Sequence, residues 1–395
     1  HIYSHLIKTG TATSQGMTGR CWVFAGLNML RIYTMKKFNL KEFEFSQTYM
    51  MFWDKLEKGN YFLEKIIETR DMPLDSRIVM WLLDNIVPDA GQWDMFVNLV
   101  NKYGVVPKEV MPETKSSMAS RLMNRRLQAK LRDIAKRLRD MNDEGASVEE
   151  IREFKEDALN DYYKMICIHL GEPPTEFYWQ WRNKDNEFHR HGTITPKQFY
   201  DEYVGFDLDQ MVCLINAPTK DKPYNKMYTV QYLGNVVEGH DIRYLNVPIE
   251  VMEKTASKMV KDGKPVWFGA DAGKMSYRDK GVFDMGIYEY DKVYGTDFSL
   301  DKAARLDYGY SKMTHAMVFT GVDMDEEEKP RRWRVENSWG TEVGDKGFYT
   351  MNNEWFTEYV YEVMVERSYL KKELLDVLKT EPVKLNPWDP MGALA

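Results

Sequence analysis

Residues that together could form a nucleophile and its base occur at widely separated positions of this sequence. One of only three cysteines, Cys21, stands where a glycine-containing loop runs into an apolar stretch with helical spacing. A cysteine in the first turn of a helix lies near the positive end of the helix dipole, which favours the thiolate. Because a free cysteine is more often a small buried hydrophobe, Cys21 alone would be weak evidence for catalysis.

Two stretches near the C-terminal end supply the partners that a thiolate needs. His315 offers an imidazole that can act as a general base near neutral pH. Asn337 offers an amide oxygen that can accept the imidazole N–H, and the indole of Trp339 can keep water off that bond. Gln15, six residues before Cys21, can donate its amide to a developing oxyanion. The set predicts nucleophilic catalysis by a thiolate.

The order Gln, Cys, His, Asn-Ser-Trp-Gly resembles that of papain-like cysteine peptidases. Thr18 stands where the papain signature has a disulfide cysteine, Arg20 replaces a small residue, and the Cys-to-His separation is far longer. These departures resemble the bleomycin hydrolase and aminopeptidase C branch. Further blocks similar to that branch run over the whole chain: Gly91–Phe96, Lys102–Pro107, Tyr232–Val237, Asn246–Met252, Val266–Gly269 and Pro387–Gly392.

The resemblance implies a function and further site residues. It implies a peptidase that releases amino-terminal residues from peptides through a thiolate acyl-enzyme, with no metal and no cofactor. It also implies that Gly91 and Trp339 contact the substrate and that a C-terminal arm folds back into the cleft. The Ala395 carboxylate would then pair with the amino group of the substrate. On residue type alone, Gly91 is explained equally well as a turn before a helix.

Two other functions stay open from the sequence. An unblocked cleft would make the protein a papain-like endopeptidase. A basic stretch over residues 121–139 would suit an oligomeric nucleic-acid-binding scaffold with a relic active site. The net charge of −7 and the acidic segment that follows favour paired charges over nucleic-acid binding, which we therefore do not expect.

The elements that must position the catalytic groups are a helical half and a β-rich half. The apolar helix from Cys21 should run to about residue 38, and helical segments around 44–56 and 75–84 follow. After residue 264, short β-like runs separated by glycines and charged turns predict an antiparallel, barrel-like sheet, in which His315 begins one strand and Asn337 ends another. We therefore predict an α+β, papain-like two-lobed fold with the active site between the lobes.

Between the two halves, residues 115–170 predict a helical hairpin. A heptad-like apolar stripe marks its first helix, and Ser147 with Glu150 forms a capping box at the start of the second. We expect this insertion to mediate self-association, and the resemblance implies a homohexamer. The predicted regions are 1–114 (helical lobe with the nucleophile), 115–260 (insertion and oligomerisation), 261–368 (barrel-like lobe with His and Asn) and 369–395 (C-terminal helix and arm).

Composition bears on the compartment and on metals. Three cysteines cannot build a disulfide framework, so we expect a reducing, cytoplasmic location. No apolar run is long enough to span a membrane, and no membrane partner is expected. His189 and His191 lack a cysteine or carboxylate cluster at ligand spacing, so we expect surface histidines there and no metal.

Overall fold

The structure, a computed structural model, describes residues 2–394 and thus all predicted site residues except Ala395, whose proposed carboxylate lies outside them. Helices dominate the first half of the chain, and within residues 2–394 no helix is long and apolar enough to cross a membrane. The helices are α1 (Cys21–Lys37), α2 (Gln47–Glu68), α3 (Arg77–Asp84), α4 (Trp93–Tyr103), α5 (Lys115–Met118), α6 (Arg121–Asp143), α7 (Val148–Leu170), α8 (Pro196–Phe199), α9 (Ile249–Lys261), α10 (Tyr290–Tyr294), α11 (Lys302–Asp307), α12 (Asn353–Tyr359) and α13 (Lys372–Val377).

Helix α1 is the central helix of the molecule and begins at Cys21, as predicted. Its residues are buried on nearly every face, and two lysines complement the negative end of its dipole in the last turn. Helix α2 is longer than predicted, because Gly59 does not end it. A Cβ at Gly59 would lie 2.5 Å from the Tyr162 ring, so the glycine admits a close contact with α7 instead of breaking the helix.

The predicted hairpin is α6 and α7, and its capping box is present: the Ser147 hydroxyl accepts from the Glu150 N–H, while the Glu150 carboxylate accepts from the Ser147 N–H. The apolar stripe of α6 is buried, and α6 packs against α2 and α7 of the same chain. The stripe is therefore used within one chain, so it gives no argument for self-association. Its buried residues are Met123, Leu127, Leu131, Ile134 and Leu138.

The strands are β1 (His5–Leu6), β2 (Phe177–Arg182), β3 (Phe188–Ile194), β4 (Met211–Ile215), β5 (Lys226–Val230), β6 (Tyr244–Asn246), β7 (Val266–Ala270), β8 (Ser276–Tyr277), β9 (Val282–Phe283), β10 (His315–Met324), β11 (Pro330–Glu336), β12 (Phe348–Asn352), β13 (Val360–Glu366) and β14 (Val383–Leu385). Within residues 2–394 they form a 12-stranded sheet and the separate β2–β3 hairpin. The sheet order is β14-β5-β6-β4-β13-β7-β10-β11-β12-β9-β8, with β1 paired to β10.

The centre of the sheet is antiparallel; His315 begins β10, and Asn337 directly follows β11. Strand β10 lies between β7 and β11, with antiparallel pairing to both. All but the last residue of β10 is buried, because α1 and α9 both pack against it. The pairs β14–β5, β4–β6 and β12–β9 are parallel. Because β4, β5 and β6 belong to this sheet, the boundary predicted at residues 260/261 runs through it; the domain division itself stays a prediction.

The C-terminal arm, residues 380–394 of the described chain, is anchored along its length. Strand β14 pairs with β5, and the Trp388 ring lies 3.7 Å from the Arg77 guanidinium carbon. Asp389 forms an ion pair of 3.0 Å with Lys222 and accepts from the Met391 N–H at 2.9 Å. The arm is thus an ordered part of the fold and continues towards α4.

Candidate active site

The predicted nucleophile and the predicted base lie close to each other where α1 meets the sheet. Cys21 is the first residue of α1 and only 2% exposed, and His315 is the first residue of β10 and 6% exposed. The backbone N–H of Ala316, the residue after His315, is close enough to the Cys21 sulfur to lower its pKa. Helix start and strand start therefore bring together two residues separated by most of the chain.

Asn337 orients the imidazole. Its Oδ1 lies 2.8 Å from His315 Nε2 and also accepts from the Ser338 backbone N–H at 2.8 Å. Because a backbone N–H can only donate, Oδ1 is the oxygen, so His315 Nε2 carries the proton and Nδ1 is the basic nitrogen. The Trp339 ring stacks on the imidazole, with centroids 4.7 Å apart, and so shields this bond from solvent.

Gln15 lies in the loop before α1 and is tied to the same stretch as Asn337. Its Oε1 accepts from the Ser338 hydroxyl at 2.6 Å, and its backbone N–H donates to the Ser338 carbonyl at 2.9 Å. Its Nε2 donates to the Thr18 carbonyl at 2.5 Å. Since an amide nitrogen carries two N–H groups, one remains to donate to an oxyanion.

The two departures from the papain signature next to Cys21, Thr18 and Arg20, belong to one hydrogen-bonded network. Arg20 is 1% exposed, and its guanidinium donates to both carboxylate oxygens of Glu113, at 3.2 and 3.0 Å. Its Nε donates to the Thr18 hydroxyl at 3.2 Å, and that hydroxyl donates to the Gln15 carbonyl at 2.7 Å. An ion pair and a hydroxyl thus hold the loop before the nucleophile, where papain-like relatives would use a disulfide.

Opposite this loop, two buried lysines of α2 hold the turn before α4. Lys55 donates to the Val87 carbonyl and pairs with Asp89 at 2.7 Å. Lys58 donates to the carbonyls of Pro88 and Ala90, at 3.0 and 2.7 Å. The backbone of this turn is therefore fixed by side chains from a neighbouring helix.

Gly91 follows this turn and is buried against the helix that carries the nucleophile. A Cβ at Gly91 would lie 2.5 Å from the Trp22 ring, so packing against Trp22 by itself requires glycine. The Trp22 indole also donates to the Asp89 carbonyl at 2.7 Å. The predicted contact of Gly91 with substrate stays a prediction.

The last described residues of the arm lie beside Gln92, the residue after Gly91. Gln92 Nε2 donates to the Ala393 carbonyl at 2.7 Å. Ala393 and Leu394 line a cavity of about 650 Å³, which we call the arm-side cavity; its other walls include Ala90, Trp81 and Tyr232. The predicted return of the arm thus brings its last described residues to the turn before α4.

Burial controls the charges of the catalytic pair. It raises the pKa of Cys21 to about 11, although the backbone N–H groups of Ala316, Trp22 and Cys21 itself act in the opposite direction. It lowers the pKa of His315 to about 4, against the hydrogen bond to Asn337. The sequence predicted that the helix dipole would favour the thiolate. In the structure, burial acts on the Cys21 pKa against those donors and is the larger influence.

Several contacts that position the site carry no clear signal in the sequence. Arg31 of α1 forms a buried ion pair of 2.5 Å with Glu336, the residue before Asn337. Ser338 is part of the sequence motif, but its residue type does not indicate that it binds Gln15. The predicted surface histidines make other contacts: His191 Nδ1 lies 3.0 Å from the Tyr203 hydroxyl. Within residues 2–394 no group of three His, Cys, Asp or Glu could hold a metal ion.

A cysteine at the start of a buried helix, faced by a histidine and an asparagine on an antiparallel sheet, defines a papain-like cysteine peptidase. The comparisons agree with this class. The chain belongs to the Peptidase C1-like family, which it matches over residues 1–392. The predicted fold class and the predicted cysteine peptidase are confirmed.

Named relatives confirm the predicted branch. The chain is 47% identical to aminopeptidase C of Listeria monocytogenes over 394 residues, covering 100% of this chain and 88% of that protein. It is 44% identical to bleomycin hydrolase of Homo sapiens over 404 residues, covering 100% of this chain and 89% of that protein. The crystal structure of PepW from Lactobacillus rhamnosis superposes with a TM-score of 0.98 at 47% identity, covering 100% and 89% of the two chains.

Proposed function

We propose that this protein is a cysteine aminopeptidase that removes amino-terminal residues from peptides. The observation that carries the proposal is the position of the arm. Gln92 donates a hydrogen bond to the Ala393 carbonyl, and the neighbouring Gly91 packs against Trp22, the second residue of α1. A cleft bounded by the end of its own chain leaves little room for substrate residues before the cleaved bond. The names of the relatives described above agree with this activity.

The proposed reaction uses each positioned group once. His315 Nδ1 takes the proton of Cys21, and the thiolate attacks the carbonyl carbon of the first peptide bond. The free N–H of Gln15 and the Cys21 backbone N–H donate to the resulting oxyanion. His315 then gives its proton to the leaving amine and afterwards activates the water that hydrolyses the acyl-enzyme. Asn337 keeps the imidazole in the required tautomer throughout.

The arm supplies the proposed selectivity for a free amino terminus. From Leu394 the chain continues by one residue, and the carboxylate of Ala395 would follow. A carboxylate beside the cleft would pair with the ammonium group of a substrate, while the arm itself would block longer substrates. On this proposal Gly91 would lie along the substrate backbone, and Trp339 would lie beside the leaving fragment.

A comparison of two substrates tests the proposal. An aminoacyl-coumarin with a free amino group should be hydrolysed, and its N-acetylated counterpart should not. The matched variant Cys21→Ala should abolish the signal, whereas Cys167→Ser, which removes the half-buried thiol of α7, should retain it. Equal hydrolysis of both substrates would favour an endopeptidase.

We further propose a homohexamer in the cytoplasm. The hexamer follows from the resemblance alone, because the apolar stripe of the hairpin is already buried within the chain. The location is supported by the three free thiols of the described chain, which suit a reducing compartment. Native mass spectrometry checks the assembly, and a monomer at micromolar concentration would contradict it.

A further inference from the structure

A second cavity, of about 690 Å³, lies beside the loop that carries Gln15. We call it the arginine cavity. Gln15 and Trp339 form part of its wall, together with the first turns of α6. The two cavities have no lining residue in common. Within the turn before α4, Pro88 and Ala90 line the arm-side cavity, whereas Asp89 lines the arginine cavity. The turn before α4 therefore separates the two cavities.

The charged lining of this cavity is mostly basic and consists of Asp89 and three arginines, Arg121, Arg125 and Arg278. The Arg278 guanidinium lies over the Trp339 ring, 5.2 Å from its centroid. Among residues 2–394, Arg121 and Arg125 have no ion-pair partner, whereas Arg137 and Arg152 of the same hairpin pair with glutamates. The unpaired arginines of the hairpin thus include two that face the active-site loop.

The one acidic group of the lining does not neutralise these arginines. The Asp89 carboxylate pairs with Lys55 at 2.7 Å. It also accepts from the Ser120 hydroxyl and from Asn124 Nδ2 at 2.9 Å. The cavity therefore carries surplus positive charge in a chain whose net charge is −7.

We propose that the arginine cavity binds a carboxylate of the leaving fragment. The inference rests on the proposed function, in which the arm lies where the amino end of the substrate binds. The leaving fragment must then extend past Gln15 and Trp339, which form the wall of this cavity. Arginine binds carboxylates through two parallel hydrogen bonds, so Arg121, Arg125 and Arg278 suit the free C-terminus of a short peptide or an acidic side chain near the cleaved bond.

The first experiment compares peptides that differ only in this carboxylate. A series with one amino-terminal residue followed by one to six alanines is prepared both as free acids and as C-terminal amides. For the short members we expect kcat/KM to be about three- to thirtyfold higher for the acid than for the amide. The effect is modest because the arginines are exposed and only one substrate carboxylate is available to all of them. The ratio should fall towards one for the longest peptides and at high salt. A ratio of one at every length, together with equal rates for the peptides of the third experiment, would overturn the proposal.

Variants locate the effect on the cavity. The double variant Arg121→Gln/Arg125→Gln should bring the acid-to-amide ratio close to one. Arg126→Gln is the matched control, because Arg126 is exposed on the same helix but does not line the cavity. It should keep the wild-type ratio. A ratio that responds equally to both variants would show a general charge effect and overturn the assignment.

A third set of peptides separates the two sources of the carboxylate. Amidated peptides of one length, with Asp or Asn as the second residue of the leaving fragment, report on side chains alone. Faster cleavage of the Asp peptide assigns the cavity to acidic side chains, whereas equal rates with a length-dependent acid-to-amide ratio assign it to the peptide C-terminus.

Binding separates this inference from the proposed function. In Cys21→Ala, calorimetry should show tighter binding of the peptide acid than of the amide. Adding Arg121→Gln and Arg125→Gln to this variant should remove the difference in affinity. Both results are expected even if the protein has another activity. If single-stranded DNA binds instead, and binding is lost in the double variant while acid and amide bind equally, the arginines serve nucleic acid and the proposal is wrong.

Discussion

The arm-side cavity and the arginine cavity lie on the two sides of the turn before α4, yet the chain builds them differently. The wall of the arm-side cavity includes Ala393 and Leu394 of the arm, large rings such as Trp81, and charges of both signs, among them Lys58 and Asp389. The arginine cavity is bounded by a long helix and carries three arginines. One cavity is bordered by the arm, and the other carries surplus positive charge.

On the proposed function, this difference explains how one nucleophile can act on only one end of a substrate. A papain-like peptidase whose cleft is open at both ends binds peptide on both sides of the cleaved bond and so cuts inside a peptide. Here Asp389, Trp388 and β14 hold the arm in place. On the two proposals, selection on the arm side is steric and also uses the Ala395 carboxylate, while selection on the other side is electrostatic and sensitive to salt.

The largest expected effect comes from removing the proposed nucleophile, Cys21. Cys21→Ser should lower kcat by at least about 10³-fold, because a serine hydroxyl is far harder to deprotonate than a thiol. Steady-state kinetics with an aminoacyl-coumarin measures the loss, and circular dichroism confirms the fold. More than a few per cent of wild-type kcat in a homogeneous preparation would refute the assignment.

Gln15 borders the arginine cavity and should act on the oxyanion rather than on binding. Gln15→Ala should lower kcat by about 10²–10³-fold, the range for loss of one oxyanion donor. Ser338→Ala is the control: it removes the 2.6 Å bond to Gln15 Oε1 and leaves the donor in place, so its effect should be much smaller. A change in KM alone would mean that Gln15 has another role.

Asn337→Ala should lower kcat by about ten- to a hundredfold, because the imidazole loses its fixed tautomer. The pH profile gives a second readout. The Asn337 hydrogen bond raises the pKa of His315 against burial, which lowers it to about 4. Removing the bond should therefore move the acid limb of kcat/KM to lower pH. A shift to higher pH would contradict the geometry described here.

The smallest expected effect concerns stability beneath the arm. Glu362 and Met391 line a small cavity there, and burial raises the pKa of Glu362 from its ordinary value of 4.5 to about 8. Between these pH values the folded state holds a proton that the unfolded state has lost, so the free energy of unfolding should fall as pH rises and level off above pH 8. Glu362→Gln should reduce this slope in urea titrations at pH 5 and pH 8, and the rest of it is due to groups such as Asp94, whose pKa burial raises to about 6. A slope equal to that of wild type would contradict the assignment to Glu362.

Much of the fold could be predicted from the sequence, where local pattern decided the structure. The start of α1, the capping box at Ser147 and the strand that begins at His315 follow from periodicity and turn residues. The catalytic set could be predicted because its residue types and order resemble one family. These features depend on residues that are close in the chain or on a motif.

Features that depend on tertiary contacts were missed. Gly59 marks a helix end by local propensity, but the neighbouring Tyr162 makes glycine the required residue inside α2. The stripe on α6 fits self-association equally well until α2 and α7 are seen to cover it. The thiolate expected at Cys21 follows from the helix dipole, while its burial depends on β10, nearly three hundred residues away in the chain.

Cleavage by a truncated protein that lacks residues 392–395 shows whether the arm sets the specificity. Wild type should release single amino-terminal residues and reject N-acetylated peptides. The truncated protein should lose about ten- to a hundredfold of its preference for a free amino group and should cut inside a peptide, as product masses would show. If it still releases only single amino-terminal residues and still rejects acetylated peptides, the arm does not set the specificity and the account is wrong.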